Sequence, residues 1–339
     1  MRGGVVAAAL AAAVALVPAS QASFPGRNGK IAVSVEGCVV SGNQSARYIQ
    51  TFGPGGRKLK PLTGCDGDRW GPDWAPGGRR LTVGEFKPHE DYHFTTMRAD
   101  GSHRRSIALM PELGFGPSFL PGGGEFLFVN DVVGDPRFYV ARARDGHVRE
   151  LFTDLCRDER CPMYDPRVSP DGRRVAVTLS TGFKGSLWLA RLRRHSGTTI
   201  RRIARGGSDA DWSPDGRHLV YTSFYSLIDA EATGEARGAN LYVADADGRH
   251  RRRILRTHDV AATEPTWSPD GRWIAYVQLD FRNQPKVASL WKVRVSRGKR
   301  PHTIGKPRKL ASLPKIVHSE DDEFRPPGIA WQPRPRHGR

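Results

Sequence analysis

The chain lacks the marks of several function classes. No G-x-S-x-G occurs among its 339 residues, and the nearest approach, Gly206-Gly207-Ser208-Asp209-Ala210, misses the last glycine. A serine nucleophile on a strand-to-helix elbow is therefore not expected. No stretch sustains a helical hydrophobic period, so no α/β-hydrolase domain is expected either. Cysteine is scarce, at four, and no pair has the C-x-x-C spacing of a zinc site. No base-reading motif appears, which excludes sequence-specific nucleic-acid binding. Beyond the amino-terminal leader no apolar run could cross a bilayer. Acidic residues are outnumbered 35 to 53 by Lys and Arg, giving a net charge of +18. That excess favours acidic partners such as wall polymers, anionic lipid surfaces or nucleic acid.

What the chain does have is a repeated phrase. W-S-P-D-G-R-H-L-V-Y runs from Trp212 to Tyr221 and returns as W-S-P-D-G-R-W-I-A-Y from Trp267 to Tyr276. Val168–Val177, Trp74–Val83 and Phe119–Phe128 are progressively looser copies, and Trp331-Gln332-Pro333 is a truncated sixth. In S-P-D-G, proline presets the first central turn position, aspartate suits the second, and glycine takes the left-handed conformation that follows. A strand on each side makes a hairpin. Each unit then carries a second strand pair around a turn such as Asp245-Ala246-Asp247-Gly248. Four short strands recurring every 45–65 residues or so read as the blades of a β-propeller.

These phrases resemble the repeat of TolB-type propellers, and more loosely that of the propeller domain in prolyl oligopeptidase relatives. The resemblance implies an all-β, six-bladed propeller of four-stranded antiparallel blades. Five units are complete. The sixth is expected to close the ring by joining Gly328–Pro333 to the strand at Gly29–Ser34. TolB proteins are periplasmic members of an envelope-integrity system, and their propeller face binds a peptidoglycan-associated lipoprotein. The resemblance covers the propeller only, because no separate amino-terminal α/β domain stands between Ala22 and the first strand. It implies a non-catalytic scaffold, with no assigned catalytic residue, that binds an envelope protein or an acidic cell-wall polymer and acts as a monomer. The competing class is a metal-dependent propeller hydrolase or lactonase with its site at the tunnel mouth.

Residues 1–22 read as a signal peptide: Arg2 is the positive start, Val5–Val17 the apolar run, and Ser20-Gln21-Ala22 the small-residue cleavage site. The expected organisation is residues 1–22 as leader, 23–333 as propeller and 334–339 as a basic tail. Such a protein is exported to the periplasm or cell wall, or secreted. No cysteine follows the apolar run, so a lipoprotein is not expected. In an oxidising compartment Cys38 with Cys65, and Cys156 with Cys161, are expected as disulfides on chain proximity, although four cysteines allow three pairings.

Four further features bear on function. His89-Glu90-Asp91-Tyr92-His93 and Glu320–Glu323 hold metal-ligand residue types, but lack the helical or calcium-loop spacing that makes such sets bind, and read as polar loops. Basic clusters at 103–105, 201–202, 250–253 and 306–309 fall at each unit's fourth strand. There they protect a sheet edge or form a belt for a polyanion. Trp74, Trp212, Trp267 and Trp331 are expected to pack between blades. Finally, three positions before the six anchors stand Gly71, Gly116, Asp165, Asp209, Glu264 and Gly328. Three consecutive blades thus present carboxylates and three present glycine. Asp165, Asp209 and Glu264 are expected to form an acidic half-ring at one mouth of the tunnel. It would face a partner or hold a divalent cation, the one cofactor the sequence admits.

Overall fold

The computed structural model describes residues 24–40, 44–87, 92–108, 114–132, 135–152, 163–181, 184–192, 200–223, 239–257, 260–280, 287–314 and 328–335. Strand alternation around tight turns produces five four-stranded antiparallel sheets. Blade two holds β3 (Asp68–Trp74), β4 (Arg80–Phe86), β5 (His93–Arg98) and β6 (Arg105–Ala108). Blade three holds β7 (Gly114–Phe119), β8 (Glu125–Val132), β9 (Asp135–Arg142) and β10 (Val148–Phe152). Blade four holds β11 (Met163–Val168), β12 (Arg174–Thr181), β13 (Lys184–Arg191) and β14 (Ile200–Arg205). Blade five holds β15 (Gly207–Trp212), β16 (His218–Ser223), β17 (Asn240–Asp245) and β18 (Arg252–Leu255). Blade six holds β19 (Val260–Trp267), β20 (Trp273–Asp280), β21 (Val287–Val295) and β22 (Thr303–Ser312).

Blade one closes the ring. Its inner strand is β23 (Ile329–Arg334), which pairs antiparallel with β1 (Arg27–Val40), and β1 pairs with β2 (Gln44–Phe52). The expected closure by a carboxy-terminal strand is present, and β23 runs one residue past Pro333. The outermost position of this blade is not a regular strand. Residues 57–63 follow β2 instead, held where Leu59 N donates to Thr51 O, Leu62 N to Ile49 O, and Gln50 Nε2 to Leu59 O. Cys38 and Cys65 are joined, fastening the end of β1 to the start of blade two. Cys156 and Cys161 lie outside the described residues, as do residues 89–91 and 320–323.

The repeated phrase folds as its chemistry dictates. In blade five Gly216 N donates to Ser213 O at 2.8 Å, and Ser213 N to His218 O at 2.8 Å. Gly216 has φ 65°, a conformation that costs glycine little. Ser213 Oγ donates to Asp215 Oδ1, which also accepts from Arg217 N. The second turn is fitted to the preceding blade: a Cβ on Gly248 would stand 2.1 Å from Ile203 Cγ2. Because these turns all lie at one end of the strands, the ring has a turn face and an opposite face from which the second-to-third connections leave.

The anchor tryptophans pack between blades, as expected. Trp212 is fully buried among Leu187, Leu189 and Ile203 of blade four and Leu219 and Tyr221 of its own blade. Its Nε1 donates to Arg167 O at 2.9 Å, and Trp74 Nε1 donates to Ala330 O at 3.3 Å. Trp267 and Trp331 are equally buried. Burying a ring of this size is worth several kcal/mol, so each anchor cements a blade boundary. The basic clusters lie on the outer strands, where Arg201, Arg202, Arg253, Lys306 and Lys309 are exposed. Among the described residues no helix is long and apolar enough to cross a membrane.

Candidate functional site

The inner strands of blades two to six are each broken by a two-residue bulge, and the bulge explains the column that aligns three before the anchors. Pairing skips between Trp70 and Asp73, Phe115 and Ser118, Tyr164 and Arg167, Ser208 and Asp211, and Thr263 and Thr266. The first skipped residue is left-handed in every one of these blades. Gly71 has φ 54° and Gly116 56°, while Asp165, Asp209 and Glu264 have 49°, 50° and 49°. Glycine adopts this conformation freely; aspartate and especially glutamate do so at a cost, and such strain collects at functional positions. Three blades therefore hold a carboxylate where the backbone asks for glycine.

The structure brings those three carboxylates together. One oxygen each from Asp165, Asp209 and Glu264 lies within 4.8 Å of the others. On the other half the wall is backbone, and a Cβ at Gly116 would stand 2.8 Å from Asp165 Cα. A Cβ at Gly328 would stand 3.3 Å from Gly71 Cα, so glycine is what lets successive inner strands approach here. That half is close-packed by main chain.

A second ring lies one position before the anchors: Asp73, Ser118, Arg167, Asp211, Thr266 and Ala330. Several of its members bridge to the next blade. Phe119 N donates to Asp73 Oδ2 at 2.7 Å, Val168 N to Ser118 Oγ at 3.0 Å, and Trp267 N to Asp211 Oδ2 at 2.8 Å. Arg167 is the exception, a guanidinium placed among carboxylates. Burial works against its charge, but Asp73, Asp165, Glu264 and Asp211 more than offset this and hold it protonated. Asp209 and Glu264 of the first ring and Asp73, Arg167, Asp211, Thr266 and Ala330 of the second line, with Phe24, a cavity of about 30 Å³, room for a water or two or a single small cation.

Four carboxyl groups, those of Asp73, Asp209, Asp211 and Glu264, line the cavity beside the one guanidinium. Burial, with Asp165 next, pushes the Asp209 carboxyl up to about 6. Burial and the charges of Asp209 and Asp165 raise Glu264 well above the carboxylate range. Asp73 is pushed up to about 7, again mainly by burial. Asp209 Oδ2 and Arg167 Nη1 are both buried without a hydrogen-bond partner. The Ser208 and Thr222 hydroxyls lie near enough to Asp209 to favour its ionised form, yet outside hydrogen-bond geometry. Such orphaned groups are expensive to leave buried.

The other metal-type cluster resolves differently. His93 lies on β5, buried, with its Nε2 3.6 Å from Glu85 Oε2. Glu85 also meets the buried Arg69 guanidinium and the Thr95 hydroxyl. Burial would raise Glu85, but hydrogen bonds from His93 and Thr95 and the Arg69 charge hold it down at about 2. This is a charged network inside blade two, centred on Glu85. Sequence reasoning misses Arg167, Asp73 and Asp211, although strand alternation gives them the same parity as the carboxylate column.

Comparison with known proteins agrees with this architecture. No family model matches the chain. The structure superposes on TolB of Acinetobacter baumannii with a TM-score of 0.62 at 18% identity, covering 90% of this chain and 67% of that one. The fold is that of the TolB propellers. A candidate TolB of Agrobacterium tumefaciens gives a TM-score of 0.58 at 16% identity, covering 84% of this chain and 90% of its own. In sequence, the Tol-Pal system protein TolB of Legionella pneumophila is 27% identical over 154 residues, 44% of this chain and 34% of that protein. An uncharacterized peptidase of Bacillus subtilis, YuxL, is 28% identical over 116 residues, 32% of this chain and 16% of that protein. The chain thus spans about a third of the curated TolB and a sixth of the peptidase.

Proposed function

We propose that this TolB-like propeller is an exported envelope protein, delivered by the leader at residues 1–22, that binds a partner at the acidic half-ring. The observation that carries the reading is the convergence of Asp165, Asp209 and Glu264, each strained into a glycine conformation, on one end of the tunnel. Three acids that burial and mutual repulsion hold in a costly state favour a positively charged visitor. A divalent cation is the simplest. Calcium binds oxygens at about 2.3–2.6 Å, so two ligands on one ion lie up to about 5 Å apart, a span that the 4.8 Å grouping meets. Magnesium, at about 2.0–2.1 Å, would need the three to draw closer. A Lys or Arg side chain from an envelope protein suits the same charges. The basic outer belt is a second surface, suited to an acidic wall polymer.

The test is crosslinking in the native envelope followed by identification of what is attached, for the wild type and for Asp165→Asn/Asp209→Asn/Glu264→Gln. Loss of the principal crosslinked partner in the folded triple variant supports the reading; unchanged capture overturns it. The metal-dependent hydrolase reading is separated by elemental analysis of the purified protein and by melting with and without chelator. A stoichiometric divalent ion, together with turnover that the triple variant loses, would favour the enzyme.

A further inference from the structure

One position on the second strand stands just before the residue that pairs with the anchor. The pairs are Trp331 with Ile31, Trp74 with Leu81, Val168 with Val175 and Trp212 with Leu219. In blades one, four and five the side chain at this position reaches across to main chain in the next blade's last turn. Lys30 Nζ donates to Ala99 O at 3.1 Å, Arg174 Nη1 to Ala246 O at 2.8 Å, and His218 Nε2 to Gly298 O at 3.0 Å. Arg80 holds the position in blade two, and among the described residues it makes no such bond. The boundary of blades two and three is instead a slot of about 340 Å³, lined by Arg80, Arg98, Arg105 and Arg144 over Thr96 and Met97. That is within the range of small-molecule sites, roughly 300–1,000 Å³.

Strand register places the charge. Arg80 on β4 stands directly opposite Arg98 on β5, and Thr96 on β5 directly opposite Arg105 on β6. Alternation puts Phe94, Thr96 and Arg98 on one face of β5, and Phe94 packs with Ile107 against Phe126 and Ala143 of blade three. The face is therefore apolar along its length and cationic at its turn end. The blade-three turn rests on Ile107, where a Cβ on Gly146 would lie 3.0 Å from Ile107 Cγ2, and Arg144 of that turn closes the slot. Among the described residues no carboxylate lines it. Asp145 Oδ2 accepts from Arg142 Nη1 and Arg144 Nε, and Asp100 Oδ1 from Ser102 N and Oγ. Like charges directly opposite destabilise a sheet, so Arg80 and Arg98 together call for an anion.

We propose that this slot is an anion site that takes a phosphate group between the guanidiniums of Arg80, Arg98 and Arg105, with Arg144 closing it from blade three. A guanidinium fork binds phosphate oxygens two at a time, and a dianion satisfies more than one fork, as a single carboxylate does not. The phosphate comes as the free ion or as an ester within an envelope polymer. The site needs neither the half-ring nor the leader, and rests on the reading of the basic surface only for the ester as a source.

The test is calorimetric titration of the full chain at low ionic strength with inorganic phosphate and, separately, with a short poly(glycerol phosphate) oligomer. The wild type should bind saturably, and Arg80→Gln/Arg98→Gln about tenfold or more weakly. Lys306→Gln/Lys309→Gln removes the same charge from exposed positions on blade six and should change affinity by about twofold at most. Equal affinity for the two probes identifies the free ion as the ligand; an oligomer that binds about tenfold tighter identifies the ester. No saturable binding of either probe by the wild type, or equal losses in the two double variants, would overturn the proposal. A melt separates binding from a merely structural role. Without phosphate, Arg80→Gln should melt at or slightly above the wild type, because an opposed like charge is relieved. With phosphate, the wild type should gain and Arg80→Gln/Arg98→Gln should not. A phosphate-free Arg80→Gln that melts several degrees low, as befits a residue clamping the boundary in the manner of Lys30 and Arg174, would overturn it as well.

Discussion

Replacing Asp209 with Asn should stabilise the cation-free protein at neutral pH. Asp209 has its carboxyl raised from 3.8 to about 6, with burial the main cause and Asp165 the next. A raised acid is penalised when ionised. The penalty is absent below the unfolded pKa, grows as pH climbs from about 4 to about 6, and persists in full above that. Two pK units correspond to roughly 3 kcal/mol. For a chain of 339 residues the unfolding entropy is roughly 0.7 kcal/mol per degree, so the gain in melting temperature is about 4 °C. Asparagine keeps the acceptor for neighbouring donors and tolerates φ near 50° at least as well as aspartate, so nothing structural offsets the gain. The assay is a circular dichroism melt of both proteins in chelator at pH 7 and pH 4. The expected result is a higher melting temperature for Asp209→Asn at pH 7 and none at pH 4, where the wild-type carboxyl is already protonated. A variant that melts at or below the wild type at pH 7, or that gains equally at pH 4, would refute the reasoning.

Three further outcomes follow from the same structure. Trp212→Ala removes a fully buried ring and its bond to Arg167 O, and should cost about 3–5 kcal/mol in urea unfolding. Deleting residues from Arg325 onward removes β23, the inner strand of blade one, and should abolish cooperative melting; a truncated protein within a few degrees of the full chain would contradict ring closure. If the belt binds an acidic wall polymer, retention should fall steeply between about 0.1 and 1 M salt, as the Debye length shrinks from about 10 to about 3 Å. Lys306→Gln, Lys309→Gln and Arg253→Gln should weaken it too. These positions are preferable to Arg251 and Arg252, whose side chains donate to Ile203 O and Pro301 O and so also hold the fold.

The ring is legible in the sequence because its signals are local. Pro and Gly recur at fixed turn positions, and a tryptophan or phenylalanine stands four residues before the turn glycine in four of the five full copies. Trp212 stands so before Gly216, and Trp267 before Gly271. The acidic column emerges from aligning those anchors, and so does its alternation with glycine. What the column means is harder to see. Glycine in the matching positions is the clue that the backbone there is left-handed, but a glutamate in that conformation runs against its own propensity. Arg167 and Asp73 escape notice because a lone charge in a strand reads as solvent-facing, and only the closed ring turns it inward. Blade one's outer edge is hidden for the opposite reason: residues 57–63 are held largely by side chains and single bonds, which leave no strand pattern.

The most direct test of the central claim, that the half-ring is built to take positive charge, is calorimetric titration of the protein with calcium chloride at pH 7. Saturable binding is predicted for the wild type, and its loss in folded Asp165→Asn/Asp209→Asn/Glu264→Gln. Binding of unchanged affinity in the triple variant would contradict it.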